Sequence, residues 1–104
     1  MSAAKEKTQQ IINDNAVVVF SKSYCPYCKA TKALLDQTHA VYSSVELDQI
    51  ADGSAIQDAL LEISGQRTVP NIFIGQQHIG GNSELQARKG ELKSLLQSVK
   101  ALEE

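Results

Sequence analysis

Cys25 and Cys28 are the only cysteines in the chain, and Pro26 and Tyr27 separate them. Residues three apart on a helix share a face, so the two sulfurs can meet as a dithiol or as a disulfide. Pro26 suits the first turn of a helix, where its missing N–H is no loss. Cys25 is thereby expected at a helix N-terminus, where unpaired backbone N–H groups and the helix dipole favour an anion. Three lysines, Lys22, Lys29 and Lys32, and no carboxylate lie between Asn15 and Leu35. These features predict a Cys25 of lowered pKa acting as nucleophile, with Cys28, one turn in, more buried and acting as the resolving thiol. An inert pair of small buried residues is the plainer alternative. A closed zinc site would need two more ligands, and the only histidines, His39 and His78, fall in a loop and a hairpin strand. Redox chemistry without a bound metal is the expectation.

The elements that would hold this pair are legible around it. Ala3 to Asn15 reads as a first helix capped by Ser2. Ala16–Ser21 is β-branched and apolar on both faces, the signature of a buried strand. A helix follows Cys25 through Leu34 and Leu35, and Tyr42–Leu47 reads as a second strand. Asp52-Gly53-Ser54 opens a third helix with Ile56, Ala59, Leu60 and Ile63 on one face, and Gly65 closes it. Asn71–Ile74, Gly75-Gln76 and Gln77–Ile79 form a hairpin. A helix starts at Asn82-Ser83-Glu84, and Gly90 is expected to break it from a last helix carrying Leu92, Leu95, Leu96 and Val99. Phe20 and Phe73 fall at core positions. The order α-β-α-β-α-β-β-α-α predicts an α/β fold, a four-stranded mixed sheet with helices on both faces.

The whole composition bounds the function. The 104 residues suit one domain, 1–104, and 42% apolar content can supply its core. Net charge is −2, so nothing suggests a polycation for nucleic acid. The longest apolar run, Ala16–Phe20, is far short of the ~20 residues of a membrane helix. Met1–Lys7 lacks the apolar stretch of a secretory signal. Two adjacent cysteines staple nothing distant, which points to a reducing, cytoplasmic setting. A monomer is the default expectation.

Three motifs in order, Lys22-x-x-Cys25-Pro26-Tyr27-Cys28, Thr68-Val69-Pro70 and Gly80-Gly81-Asn82-Ser83, resemble those of a dithiol glutaredoxin, from about Ala16 to Leu102. The resemblance implies a thioredoxin-like fold and reduction of disulfides with glutathione as co-substrate, with no bound cofactor. It implies a cis proline at Pro70, freeing the Val69 backbone to pair with the peptide backbone of glutathione. Thr68 and Gly81 belong to the same expected site, and Tyr27 would shield the sulfur. Tyr24 would frame the groove. Lys22 and Arg67 are the expected partners of the glycine carboxylate. Asn82, Ser83 and Glu84 would take the γ-glutamyl end at the helix start, and capping is a second role for Ser83. Gln57 has two readings: a capping box with Ser54, or, by the resemblance, a contact to the glycine carboxylate, the reading preferred.

The expected reaction has two branches, both by thiolate attack on a disulfide sulfur. Cys25 takes the glutathionyl group from a glutathionylated protein, or Cys25 attacks a protein disulfide and Cys28 resolves it. Glutathione reductase and NADPH would be indirect partners. Two rivals share the Cys-x-x-Cys: a thioredoxin-like reductase, against which stand Tyr27 and the absence of tryptophan, and a carrier bridging an iron–sulfur cluster through Cys25. A third is an interaction module with an unactivated thiol.

Overall fold

A computed structural model describes residues 2–103. Helix α1 (Ala3–Asp14) is capped by Ser2, whose hydroxyl accepts from the Lys5 N–H at 3.1 Å. Strand β1 (Val17–Ser21) is buried along its whole length. Helix α2 (Pro26–Gln37) leads to β2 (Ser43–Glu46), and α3 (Gly53–Ser64) ends at Gly65 in the left-handed region, φ 80°. Strands β3 (Asn71–Ile74) and β4 (Gln77–Gly80) make a hairpin. Its turn has positive φ at both Gly75 and Gln76, the twist that suits a two-residue connection. Helices α4 (Asn82–Ala87) and α5 (Lys89–Ser98) follow.

The sheet order is β2-β1-β3-β4, with β1 parallel to β2 and antiparallel to β3. Successive side chains of a strand point to opposite faces, and β1 divides accordingly. Val17 and Val19 join Leu34 and Leu35 of α2, Leu85 of α4, and Leu92 and Leu96 of α5. Val18 and Phe20 join Ile12 of α1, Ile56 and Leu60 of α3, and Phe73. Phe20 and Phe73 meet edge to face, centroids 6.0 Å apart. The element order and the mixed sheet are those the sequence predicts.

Two local expectations are corrected. The break before the last helix falls at Arg88, not Gly90: Arg88 caps both α4 and α5 with φ −100° and ψ 13°, and Gly90 lies inside α5. The turn is closed there by the Glu91 N–H donating to the Arg88 carbonyl and by their side-chain ion pair. Ser54 and Gln57 form no capping box, because α3 starts two residues early and is capped at Asp52 without a side-chain bond. The residues that follow α5 pack back onto the fold. Ala101 is buried, Leu102 bridges to Ala40, and the Glu103 N–H donates to the His39 carbonyl.

The topology builds one chemical edge. Because β3 runs antiparallel to β1, Asn71 pairs with Phe20. The residues before Asn71 therefore lie alongside the loop that leaves Ser21. The parallel pairing of β2 with β1 sets Glu46 opposite Ser21 at the same end.

Candidate active site

The loop after β1 turns into α2 through the Cys25 N–H, which donates to the Lys22 carbonyl at 3.1 Å. Cys25 is the N-cap residue of α2 and Pro26 its first helical residue. The cap is made by sulfur: Cys25 Sγ accepts from the Cys28 N–H at 3.2 Å. One of the orphan donors of the helix start thus points at the expected nucleophile. Cys25 is half-buried, whereas Cys28 is 1% exposed, and both are free thiols. Burial pushes the Cys28 thiol up, helped by its hydrogen bond with Cys25 and opposed by the Lys22 backbone and the Ser21 hydroxyl. Of the two sulfurs, that of Cys25 is the more accessible and that of Cys28 the more deeply buried.

Beside the dithiol lies an open cavity of about 310 Å³. It is lined by Tyr27, Gln66, Thr68, Val69, Pro70 and the stretch Gly81–Glu84. Val69–Pro70 is a cis peptide bond. The Val69 carbonyl oxygen stands 3.9 Å from Cys25 Sγ, which places the cavity against that sulfur. Tyr27 is 68% exposed at the rim. Tyr24 is equally exposed but lies outside the lining, so it does not frame this groove.

Gln66 is the lining residue that the sequence did not single out. Its Nε2 donates to the Thr68 carbonyl at 3.1 Å and to the Pro70 carbonyl at 3.0 Å. The two carbonyls flanking Val69 are thereby occupied, and that of Val69 is left facing the sulfur. Gln57 does related work from below. It is 7% exposed and donates from Nε2 to the Arg67 carbonyl at 3.1 Å, so it braces the same loop without lining the cavity. The Arg67 guanidinium lies outside the cavity as well, with Nε on Asp58 Oδ1 at 2.9 Å.

At the far side, the first N–H groups of α4 have no carbonyl partners within the helix. Glu84 Oε1 accepts from the Gly81 N–H at 2.7 Å, one half of a capping box. Gly81, not Ser83, is the N-cap residue, so Ser83 does not have the capping role. Asn82 ties α4 to α2, its Oδ1 accepting from the Thr31 hydroxyl at 3.0 Å. His78 packs on Phe73 at 5.2 Å with its pKa lowered by burial, against the pull of Glu84.

The electrostatics differ from the sequence expectation in one respect. Carboxylates are distant from the dithiol along the chain but not in space, because β2 delivers Glu46 and Asp48 to this edge. Lys32 Nζ is paired with Glu46 Oε2 at 2.8 Å, so its charge is already matched. Burial works to raise the Glu46 carboxyl, yet hydrogen bonds from Lys32, Ser44 and Ser21 hold it below the usual range. The Ser23 hydroxyl and N–H do the same for Asp48, with Lys22 adding to the effect. Lys22 makes no ion pair among the described residues, and it is not in the cavity lining. Among those residues no three His, Cys, Asp or Glu side chains gather as a metal site, and no helix is long and apolar enough to cross a membrane.

Comparison with known proteins places this arrangement. The family model for glutaredoxin matches residues 17–79. A glutaredoxin of Ricinus communis is 57% identical over 95 residues, 89% of this chain and 93% of its own. A glutaredoxin of Solanum lycopersicum is 51% identical over 104 residues, 98% of this chain and 94% of that one. Among solved structures, a buckwheat glutaredoxin–glutathione complex superimposes with a TM-score of 0.92 at 49% identity, covering 96% of this chain and 93% of that one.

Proposed function

The chain belongs to the glutaredoxin family of glutathione-dependent thiol oxidoreductases, and from that premise we propose that it reduces protein–glutathione mixed disulfides and protein disulfides through Cys25 and Cys28. The observation that carries the reading is the pairing of a half-exposed sulfur capping α2 with a buried thiol one turn on, beside an open cavity. In the first route the Cys25 thiolate attacks the glutathionyl sulfur of a mixed disulfide. The substrate leaves as a thiol, and a second glutathione releases oxidised glutathione from Cys25. In the second route Cys25 attacks a protein disulfide, and Cys28 displaces the product to leave a Cys25–Cys28 bridge for glutathione to reduce.

Glutathione fits the cavity by its chemistry. The Val69 backbone offers a strand edge to the tripeptide. The open N–H groups of Asn82, Ser83 and Glu84 suit the γ-glutamyl carboxylate. The second Glu84 oxygen is left for the ammonium, since Oε1 is held by Gly81. Lys22 is free to reach the glycine carboxylate, whereas Arg67 must first leave Asp58. Thr68, Pro70 and Gly81 supply wall, and Tyr27 covers the sulfur. That the similar buckwheat glutaredoxin is a complex with glutathione supports glutathione as the ligand. A cytoplasmic, monomeric protein served indirectly by glutathione reductase and NADPH completes the proposal.

The test is reduction of a small glutathione mixed disulfide, coupled to NADPH through glutathione reductase. Wild type and Cys28→Ser should turn over, and Cys25→Ser should be inactive. Loss of all activity in Cys28→Ser would refute the assigned roles.

A further inference from the structure

The loop that forms one wall of the cavity, residues 66–70, carries five backbone carbonyls, and side-chain amides hold four of them. Asn71 Nδ2 donates to the Gln66 carbonyl at 3.0 Å, and Gln57 Nε2 to that of Arg67 at 3.1 Å. Gln66 Nε2 supplies the other two, to Thr68 at 3.1 Å and to Pro70 at 3.0 Å. A primary amide has two N–H protons, so Gln66 spends both on the residues either side of Val69. These partners set the orientation of the amide, since turning it over would face its oxygen to two carbonyls. The Val69 carbonyl has no amide donor among the described residues. Its neighbour is Cys25 Sγ at 3.9 Å, a contact that gives it no proton once the sulfur is a thiolate. Across the cavity, a Cβ on Gly81 would stand 3.9 Å from Gln66 Nε2 and 3.5 Å from the Pro70 oxygen. The bare face of Gly81 thus leaves the room in which the amide lies.

We propose that Gln66 is a positioning residue that selects which group Cys25 takes up: by bridging Thr68 and Pro70 it leaves Val69 as the open carbonyl of the wall and fixes the direction in which that carbonyl meets a ligand N–H. Disulfide exchange by itself needs no such wall. The Cys25 thiolate bonds to one sulfur of a disulfide, the old S–S bond breaks, and the other sulfur leaves with the electron pair as a thiolate. Cys25 is oxidised, the leaving sulfur is reduced, and any disulfide of suitable size can follow that course. The wall adds a preference for a sulfur carried on a peptide backbone, because that group has an N–H to pair with Val69. In an unheld loop the carbonyls of Thr68 and Pro70 would compete for the same N–H in wrong registers. Gln66 therefore acts on the choice of transferred group and not on the reactivity of the sulfur.

This role deepens the function proposed above and rests on glutathione being the ligand. The test uses Cys28→Ser protein, in which Cys25 is the one thiol. It would be reacted with oxidised glutathione and with bis(2-hydroxyethyl) disulfide, which has no peptide groups, and the mass gained by the protein followed in time. The readout is the ratio of the two rate constants, glutathione over hydroxyethyl. Gln66→Met keeps the reach of the side chain without its donors, and Gln66→Glu keeps its shape while turning donors into acceptors. Added to Cys28→Ser, Gln66→Met should lower the ratio about five-fold, the weight of about one hydrogen bond. Gln66→Glu should lower it further, and melting curves would show each variant folded at the assay temperature. A glutamine that serves only the fold would lower Tm and leave the ratio where it was, which would overturn the proposal. So would a constant ratio in which both rates fall together, since Gln66 would then act on the sulfur. A Cys28→Ser protein with no preference for oxidised glutathione, before Gln66 is touched, would overturn the proposed function and the role of Gln66 together.

Discussion

At the scale of single residues, two glutamines decide the shape of the site. Gln66 occupies the carbonyls of Thr68 and Pro70, and Gln57 occupies that of Arg67 from within α3. Removing the Gln57 amide strands a carbonyl beside a nearly buried position, a loss of about 1–3 kcal/mol. For a chain of this size each kcal/mol lowers Tm by about 4–8 °C. Gln57→Ala should therefore melt several degrees early and raise KM for a glutathionylated substrate, as the loop carrying Thr68 and Val69 loosens. A lower Tm with unchanged KM would confine Gln57 to the fold. The dithiol was legible because its chemistry is local: four consecutive residues set the helix start, the cap and the spacing. The glutamines were not, because an amide that bonds a backbone carbonyl across a loop leaves no pattern in the chain. The Ser54–Gln57 spacing did look like a cap, and it is two residues out of phase with where α3 begins.

Between elements, the informative contact joins α2 to β2. Lys32 reads from the sequence as part of a positive field around the thiol, since no carboxylate lies between Asn15 and Leu35. Parallel pairing of β1 with β2 brings Glu46 to it, and that pairing depends on a crossover that no short window reveals. The consequence is a pH dependence of known sign. Glu46 is held below its usual pKa, so its contribution to stability is present at neutral pH. That contribution fades as pH falls below the unfolded glutamate value of about 4.3 and is gone once the folded carboxyl is protonated. Lys32→Met should thus be less stable than wild type at pH 7, and the gap in Tm should close in acid. A gap that stays constant from pH 7 to pH 3 would show that Lys32 contributes packing rather than charge.

For the molecule as a whole, the sheet separates two cores and β1 belongs to both. Ile56 lies on the α1–α3 side and Ile74 on the side of α2, α4 and α5. Shortening either to valine should cost about 0.5–1.5 kcal/mol. The double variant should lose the sum to within about 0.5 kcal/mol, as for residues sharing no partners. Urea melts would read this, and strong coupling would mean that β1 transmits repacking from one side to the other. This level of organisation was the most legible, because apolar periodicity reports which face is covered even when the partner is unknown. Helical spacing in Ile56, Ala59 and Leu60 and the unbroken run in β1 were enough for the layers. The last residues were not legible: Ala101 and Leu102 are too few to show a period, and their place against His39 and Ala40 comes from backbone pairing.

If Cys25 reacts as proposed, the sulfur cap on α2 makes folding and thiol–disulfide exchange share an atom. The acceptor that completes the first turn of the helix is the atom that gains a covalent bond in each cycle. A disulfide sulfur carries no charge and accepts a hydrogen bond more weakly than a thiolate. Every oxidation therefore withdraws part of a helix cap, an interaction worth about 0.5–2 kcal/mol when lost completely. A bridge closing so short a loop returns little. By linkage, whatever the fold loses on oxidation it gives back as driving force for reduction. The protein's own stability thus works as a spring that resets the dithiol.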